Sequence, residues 1–330
     1  MIVCKKNIVN RRGEREQLNV YSSAIECKLT GEPHKTIKRG GKTLGYVGLT
    51  RDLDTPKASS KRVKIKDKVY AERKYLGRTS FNAWAQNNLT DYKTIERITE
   101  LPDTSDGTTH RTMFENCVNL KEVVPEIDCR NSENIDGMCY NCPSLEKPLK
   151  LKNLNKVKNV VNLYINCSKL TEESDLTSLT SCEEYTNMYR RTSITTINKI
   201  NTSSGKYFGD MLAATKIKEC TSLDLSNAID INRILEMSTV EVVDNFNTKN
   251  VTFFEAAFWN CQQLRQVCPI SFKSLTADNI LQKIGSMLQY CNSLPTITFI
   301  DVPQGITVEQ IRSATKAPDT CEIILNYRNE

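Results

Sequence analysis

The chain repeats one phrase at a regular period, and this repeat constrains the fold more strongly than any other feature of the sequence. In the phrase, an apolar residue is followed four positions later by Cys and seven positions later by Leu, as in Met113, Cys117 and Leu120. Its copies occupy residues 113–120, 138–145, 163–170, 257–264 and 287–294. One unit of this length cannot bury its own apolar side, whereas stacked units can, so the repeat predicts a solenoid.

Three altered copies fill the middle of the chain. Thr192, Thr215 and Ser238 stand where Cys is expected, and each has one residue fewer before the next aliphatic position. The aliphatic positions form one series: Leu120, Leu145, Leu170, Ile194, Ile217, Val240, Leu264 and Leu294. The steps between them are 25, 25, 24, 23, 23, 24 and 30 residues, so only the last coil contains an insertion. The series predicts about eight coils.

Further apolar residues follow each aliphatic position at intervals of about three, as Val123 and Ile127 follow Leu120. This rhythm is too spread for a heptad and too short for an independent helix. It indicates a short strand and a turn, followed by a helical stretch that ends at the next copy of the phrase. We therefore predict an α/β repeat in which the strands of successive coils form a parallel ladder, about 4.8 Å apart.

A more specific order, Cys-x-x-Leu-x-x-Val with Pro close behind, occurs at Cys117–Pro125 and again at Cys261–Pro269. It resembles the BspA-like (Treponema-type) leucine-rich repeat. The phrase is also similar to the Met-Phe-x-x-Cys-x-x-Leu repeats of Mycoplasma and Bacteroidetes surface proteins. The resemblance covers roughly residues 88–325. It implies a leucine-rich-repeat solenoid whose work is adhesion or recognition.

Both ends of the repeat region are predicted to be caps. Residues 80–85 would begin a helix with Ser80 as its N-cap, and residues 92–102 would form a degenerate first coil. Near the C-terminus, Thr307–Arg312 has a helical pattern, and Cys321–Tyr327 is predicted to be a strand that closes the stack.

The charge is divided unevenly along the chain. Residues 1–80 hold 20 Lys and Arg against 8 Asp and Glu, a net of +12, so the other 250 residues carry a net of −6. This division predicts two regions, a basic anchoring segment (1–80) and the solenoid with its caps (81–330). The basic segment would dock on an acidic partner, or it is a solvated segment with no partner. We expect no membrane span, and the N-terminus lacks the apolar core of a secretory signal.

Within the basic segment, residues 61–70 alternate between basic and apolar residues. If they form one strand, Arg62, Lys64, Lys66 and Lys68 share a face, which is predicted to be the anchoring face. That face would bind phosphate or an acidic protein. Alternatively, it is an exposed strand whose lysines discourage aggregation. No aromatic residues are interleaved with the basic ones, so nucleic acid is an unlikely partner.

The thirteen cysteines raise the question of metal or redox chemistry. Cys139 and Cys142 form a CxxC, but the only histidines, His34 and His110, are not at ligand spacing. Because Cys142 belongs to the repeated row, we interpret these thiols as small packed hydrophobes, without disulfides or metal.

No other motif argues for catalysis or for a cofactor. The segment Gly40-Gly41-Lys42-Thr43 resembles the end of a P-loop, but Thr36 stands where the first glycine should be and no apolar strand precedes it. We interpret the two glycines as a turn.

The predicted recognition surface consists of the residues that lie beside the inward-facing ones in each strand and so point outward in columns. These are Lys121, Glu122, Thr195, Thr196, Lys218, Glu219, Glu241, Val242, Arg265 and Gln266. The columns are mixed in charge and short of aromatic residues. They predict a polar, moderate-affinity protein interface rather than a deep small-molecule pocket.

These features predict a non-enzymatic binding or structural protein. The basic segment without a secretion signal and the Lys-, Asn- and Ile-rich composition favour a bacteriophage virion component. Residues 1–80 would dock on subunits of the particle, and the solenoid would face a host surface protein, a glycan or neighbouring subunits. One alternative is a BspA-like adhesin on the surface of a bacterium or protist. Another is an enzyme with a site in the N-terminal region.

Overall fold

The computed structural model describes residues 80–329 in full and, before them, the backbone of six strands. These strands are β1 (Ile2–Val9), β2 (Arg15–Tyr21), β3 (Lys35–Arg39), β4 (Lys42–Val47), β5 (Arg62–Ile65) and β6 (Lys68–Ala71). The first four form an antiparallel sheet in the order β1-β2-β4-β3, and β5 pairs with β6 as an antiparallel hairpin.

The hairpin changes one prediction made from the sequence. The basic run is divided into two strands, so Arg62 and Lys64 share β5 while Lys68 lies on β6, paired with Ile65. Lys66 falls between the strands and outside the described residues. Alternation along a sequence indicates a strand but does not reveal where the chain turns back, so the run that was expected as one strand is divided between two. The anchoring role of these residues stays a prediction.

The P-loop interpretation is also tested by this region. Lys42 begins β4, which pairs with β3, whereas a P-loop lysine opens a helix. Gly40, Gly41 and His34 lie outside the described residues.

From residue 80 onward, the chain is a stack of about nine coils with little helix, and the predicted solenoid with a parallel ladder is confirmed. On one side, single residues of successive coils pair in parallel: Ser80, Thr109, Asn134, Asn159, Glu184, Tyr207, Asp230 and Phe253. Each pairs with the next, so the coils are in register along the stack.

Two further sides carry short parallel strands. One side holds β7 (Arg97–Ile98) with β8 (Glu122–Val123), and β11 (Glu219–Cys220) with β12 (Val242–Val243) and β13 (Gln266–Val267). The other holds β9 (Ile127–Asp128) with β10 (Leu151–Lys152), and β14 (Ile270–Ser271) with β15 (Thr296–Val302) and β16 (Glu322–Tyr327). The helices are α1 (Trp84–Asn88), α2 (Ile280–Lys283) and α3 (Val308–Thr315), with a 3₁₀ turn at Leu154–Lys156.

The helical stretch that was expected in each coil is instead a series of turns bonded to the next coil. The N–H groups of His110, Thr112, Phe114 and Asn116 donate to the carbonyls of Asn134, Asp136, Met138 and Tyr140, at 2.7–2.9 Å. The same pattern recurs in the described coils from residue 135 to residue 260. In these turn segments, alternate peptide groups therefore lie along the axis of the stack. Their N–H groups all point toward the C-terminal end.

Two residues in each of these turn segments have a left-handed backbone, which is why no α-helix forms there. They are spaced four apart, as at Asn162 and Asn166, and one of them immediately precedes the Cys position. Asn adopts this conformation at low cost, and glycine does so at Gly137. The expectation of a helix failed because apolar spacing alone does not report the sign of φ.

The core consists of several parallel columns of side chains, and each column takes one side chain from each coil. The aliphatic series from Leu120 to Leu294 is buried throughout, as the repeat predicts. The cysteines of the phrase are free thiols and buried: Cys117, Cys142, Cys167, Cys261 and Cys291. Thr192, Thr215 and Ser238 continue the same buried row.

The C-terminal cap satisfies the last row of N–H groups. The helix expected at Thr307–Arg312 is present as α3, and Thr307 is its N-cap and forms a capping box with Gln310. At the other end of α3, the carbonyls of Ala314 and Thr315 accept from the N–H groups of Ser286 and Leu288. A helix C-terminus has unpaired carbonyls, and the end of this stack has unpaired N–H groups, so each supplies what the other lacks.

At the N-terminal end, the predicted helix is present but begins later than expected. Its N-cap is Ala83, in a left-handed conformation, rather than Ser80, and no side chain caps it. Ser80 instead begins the parallel column by pairing with Thr109.

Candidate recognition surface

The residues predicted to form the recognition surface all lie at the molecular surface. Lys121 and Glu122 are half-buried, as are Glu241 and Val242. The exposed ones are Thr195, Thr196, Lys218, Glu219, Arg265 and Gln266. We call this set the strand face, since most of its members lie in or beside β8, β11, β12 and β13.

At the N-terminal end of the strand face, the charges pair with one another from coil to coil. The Lys121 ammonium lies 2.9 Å from the Glu96 carboxylate. Glu122 lies between two cations, 2.8 Å from Arg97 and 3.1 Å from Lys147. The Lys147 hydrogen bond, helped by Arg97, holds the pKa of Glu122 below its usual range. These side chains are therefore engaged within the molecule.

The C-terminal end of the strand face repeats this arrangement around Glu241. Its carboxylate lies 2.9 Å from Lys218 and also pairs with Arg265 on the following coil. Lys218 donates a second hydrogen bond to Gln263, at 2.7 Å. The two cations hold the pKa of Glu241 below its usual range, with Lys218 contributing most.

Between these two clusters, the strand face is uncharged. Thr195 is exposed, and Thr196 donates to Glu173 at 3.3 Å. Glu173 is buried and accepts the backbone N–H groups of Asn198 and Lys199. The strand face is thus a polar surface whose charges are largely neutralised by one another.

A second surface, which the sequence reasoning missed, lies on the turn segments of the C-terminal coils. Met237 and Tyr290 are 51% and 50% exposed, and Trp259 lies between their coils, partly exposed. The Trp259 and Tyr290 rings meet edge to face at 5.7 Å, and the Trp259 indole N–H donates to Gln289 at 3.2 Å. We call Met237, Trp259 and Tyr290 the turn-face anchors.

A signal for this surface was present in the repeat itself. Met237 and Tyr290 have a left-handed backbone at the position where other coils have Asn116, Asn141 or Asn260. The left-handed conformation is less stable for residues with large side chains than for Asn. Arg191, Ala214, Met237 and Tyr290 all replace this Asn, and only Met237 and Tyr290 do so with a large, half-exposed apolar or aromatic side chain.

Charged groups adjoin the turn-face anchors. On the coil next to Met237, Asp210 lies 3.0 Å from Arg190 of the preceding coil. Burial, reinforced by the nearby Asp210 carboxylate, raises the pKa of Glu236. Arg191 is exposed. Apolar anchors beside mixed charges are the composition of protein-binding hot spots, which favour Trp, Tyr and Arg.

The thiols of the CxxC pair are both fully buried and are packed in the core. Burial raises the pKa of Cys139 and Cys167 well above that of an exposed thiol, and raises that of Cys261 to about 12. The thiols of Cys139, Cys167 and Cys261 therefore stay protonated at neutral pH. Within residues 80–329, no group of His, Cys, Asp or Glu side chains is arranged to hold a metal ion.

His110 is buried as well and takes part in the core rather than in a site. Its ring stacks on Phe81 at 5.0 Å, and neither ring nitrogen has a hydrogen-bond partner among the described residues. Burial lowers its pKa to about 4, so the ring is neutral at physiological pH.

Comparison with known proteins places the repeat region in one family. Residues 79–203 and 192–294 match the family described as "Mycoplasma protein of unknown function, DUF285". No curated protein and no solved structure gives a match. In the part of the chain that the structure describes, no helix has the length and apolar character needed to cross a membrane.

Proposed function

The chain belongs to the DUF285 family, and from its own surface chemistry we propose that it is a non-enzymatic protein that binds other proteins. Stacked coils present the same surface positions again and again, which suits recognition of an extended partner. The thiols of Cys139 and Cys167 are buried and protonated, and His110 is buried and neutral, so none of these groups acts at the surfaces described above.

The observation that carries this proposal is the row of turn-face anchors. Met237 and Tyr290 are both about half exposed, and each occupies a left-handed position that folding alone would give to Asn. Large side chains are less stable than Asn in this conformation, and an interface would use their exposed area for contact. The strand face is a second proposed surface, polar and weaker, because its charges already neutralise one another.

The proposed setting is a bacteriophage virion, in which residues 1–80 dock the protein on neighbouring subunits. The net charge of +12 in that segment supports docking on an acidic partner. The alternative is a BspA-like adhesin on a cell surface, which the resemblance of the repeats supports. Mass spectrometry of purified particles tests the first, and protease shaving of intact cells tests the second. Absence from particles, together with cleavage at the cell surface, would reject the virion proposal.

Two matched variants test which face binds. Met237→Asn with Tyr290→Asn removes two of the turn-face anchors and restores the residue type found in other coils. Lys218→Glu, Glu241→Lys and Arg265→Glu together invert the strand-face charges and keep their pairing. We expect the first variant to reduce incorporation into particles, or adhesion to cells, at least tenfold, and the second to have a smaller effect. Unchanged function in both variants would reject the two surfaces.

The deletion of residues 1–80 tests the anchoring segment separately. We expect the solenoid to remain folded and its incorporation into the assembly to be lost. If the truncated chain unfolds, the segment is a structural cap and not an anchor. Turnover of any substrate by the purified chain would favour the third reading, an enzyme with a site in the N-terminal region.

A further inference from the structure

The last strand of the solenoid differs from those before it. The strands from β7 to β14 are two residues long, whereas β15 spans Thr296–Val302 and β16 spans Glu322–Tyr327. β16 pairs in parallel with β15 and ends the sheet, so it has one paired edge and one outer edge. Only at this end does the stack present a strand long enough to serve as a pairing template.

The backbone groups on the outer edge can be assigned from the bonds on the inner edge. The N–H groups of Glu322 and Arg328 donate to the Pro295 and Val302 carbonyls on the β15 side. Alternate residues of a strand direct their backbone groups to the same side. Ile323, Leu325 and Tyr327 therefore direct their N–H and C=O groups outward, where the described residues supply no backbone partner.

The outer edge also lacks the features that usually keep strand edges apart. No Lys or Pro occurs from Glu322 to Tyr327, and no bulge interrupts β16 itself. Ile324 is 40% exposed and Tyr327 is 43% exposed, so apolar area adjoins the unpaired backbone. An open edge strand of this length with exposed apolar side chains is a template for adding a strand.

We propose that β16 pairs antiparallel with β16 of a second copy of this chain, forming a closed two-fold dimer. A two-fold axis at Leu325 uses the whole strand. It places Ile323 opposite Tyr327 of the other copy, with their outward N–H and C=O groups facing each other. The same register places Glu322 opposite Arg328, so residues of opposite charge occupy facing positions at both ends of the paired strands.

The charge at each end fits this register. Glu322 is exposed. The Arg328 guanidinium extends past β15, away from the outer edge, and donates to the Leu275 carbonyl at 2.7 Å and the Lys273 carbonyl at 3.4 Å, just after β14. Pairing with Glu322 of the other copy would require this side chain to turn outward, so the backbone bonds between the two strands are the main attraction in the dimer. Antiparallel pairing of one strand with its own copy uses both open edges, so the assembly stops at two copies.

A pair of substitutions at Leu325 tests the proposal in the full-length chain. Leu325→Pro removes an outward N–H that the β15 pairing does not use, and Leu325→Ala removes a similar amount of side chain but keeps that N–H. We expect wild type and Leu325→Ala to be dimers by light scattering at about 100 µM, a concentration suited to a small interface. Leu325→Pro should be a monomer, with a dimer dissociation constant at least 100-fold higher and a Tm close to that of Leu325→Ala.

A charge variant and hydrogen exchange check the register. Glu322→Lys places like charges opposite each other and should weaken the dimer about tenfold. The amide of Leu325 should exchange more slowly at dimer-forming concentrations than in the Leu325→Ala variant diluted to monomer. A wild-type chain that stays monomeric at about 100 µM, or a Leu325→Pro variant that remains dimeric, overturns the proposal. Either result would leave the binding role of the other faces unaffected.

Discussion

The coils from residue 109 to residue 170 and those from residue 187 to residue 240 share one backbone but fill it differently. The first group has Cys at the buried row and Asn or Gly at most left-handed positions, as at Gly137 and Asn166. The second has Thr or Ser in the buried row, and Arg191, Ala214 and Met237 at the second left-handed position. The solenoid geometry therefore tolerates the loss of both signature residues at once.

The buried row makes a different hydrogen bond in each group. The thiol of Cys142 donates to the Phe114 carbonyl of the preceding coil at 3.1 Å, and Cys167 does the same to Cys139. Thr192 instead donates to Tyr189 of its own coil at 2.8 Å. Cys thus links neighbouring coils, whereas Thr closes its own turn. Stacking does not depend on the thiol, because the backbone bonds between coils persist in both groups.

The largest expected effect comes from placing a charge in the buried row. Cys142→Asp should lower the free energy of unfolding by several kcal/mol, because the site offers no cation to pair with a buried carboxylate. Cys142→Thr introduces the residue found at this position in two of the middle coils. It should lower the free energy of unfolding far less than Cys142→Asp. Chemical denaturation of both variants measures the difference. Equal losses would mean that the two groups of coils are not interchangeable at this row.

Acid should destabilise the first group through His110. The folded-state pKa of about 4 lies below the usual 6.5, so the neutral ring stabilises the fold above pH 6.5. This contribution is lost as the pH falls from 6.5 toward 4, and amounts to about 3 kcal/mol.

The middle coils supply a control for this acid effect. Phe208 occupies the equivalent position, packed against Gly205 as His110 is packed against Gly107. We expect His110→Phe to flatten the dependence of Tm on pH between 4 and 6.5. An unchanged slope would assign the acid sensitivity to carboxylates elsewhere.

A smaller effect is expected when the intra-coil bond of the middle group is removed. Thr192→Val keeps the shape of the side chain and deletes the hydrogen bond to Tyr189, which should cost about 1 kcal/mol. Thr192→Cys should recover part of this loss if the thiol reaches back to the preceding coil. Thermal unfolding of the two variants compares the two kinds of hydrogen bond in the buried row. If Thr192→Cys recovers no stability, the thiol bond to the preceding coil forms only in the coils that have Cys in the native sequence.

The smallest effect should be a gain in stability. Met237→Asn restores a residue that accepts a left-handed backbone, and should stabilise the chain by roughly 1 kcal/mol. Asn166→Ala in the first group should have the opposite sign and a similar size. Both are read from denaturation midpoints. If Met237→Asn lowers stability, Met237 contributes to packing, and the case for it as a binding anchor is weakened.

The sequence by itself determined the coil period, the aliphatic series and the buried Cys, Thr and Ser row. The spacing of apolar residues repeats at the coil period, and each repeated position is buried in the structure. The sequence also predicted the capping helix that follows Thr307 and the closing strand that ends at Tyr327. Both are indicated by the pattern of neighbouring residues alone.

The tertiary structure alone decided how the coils are joined. The bond from His110 to Asn134 spans 24 positions and exists only when the coils are stacked, so no local pattern distinguishes such a turn from a helix. The same holds for the strand face, where Glu241 meets Lys218 and Arg265 from neighbouring coils. The spacing of apolar residues in a sequence shows which side chains are buried. Only the stacked structure shows which charged groups form ion pairs and which large side chains, such as Tyr290, remain exposed to solvent.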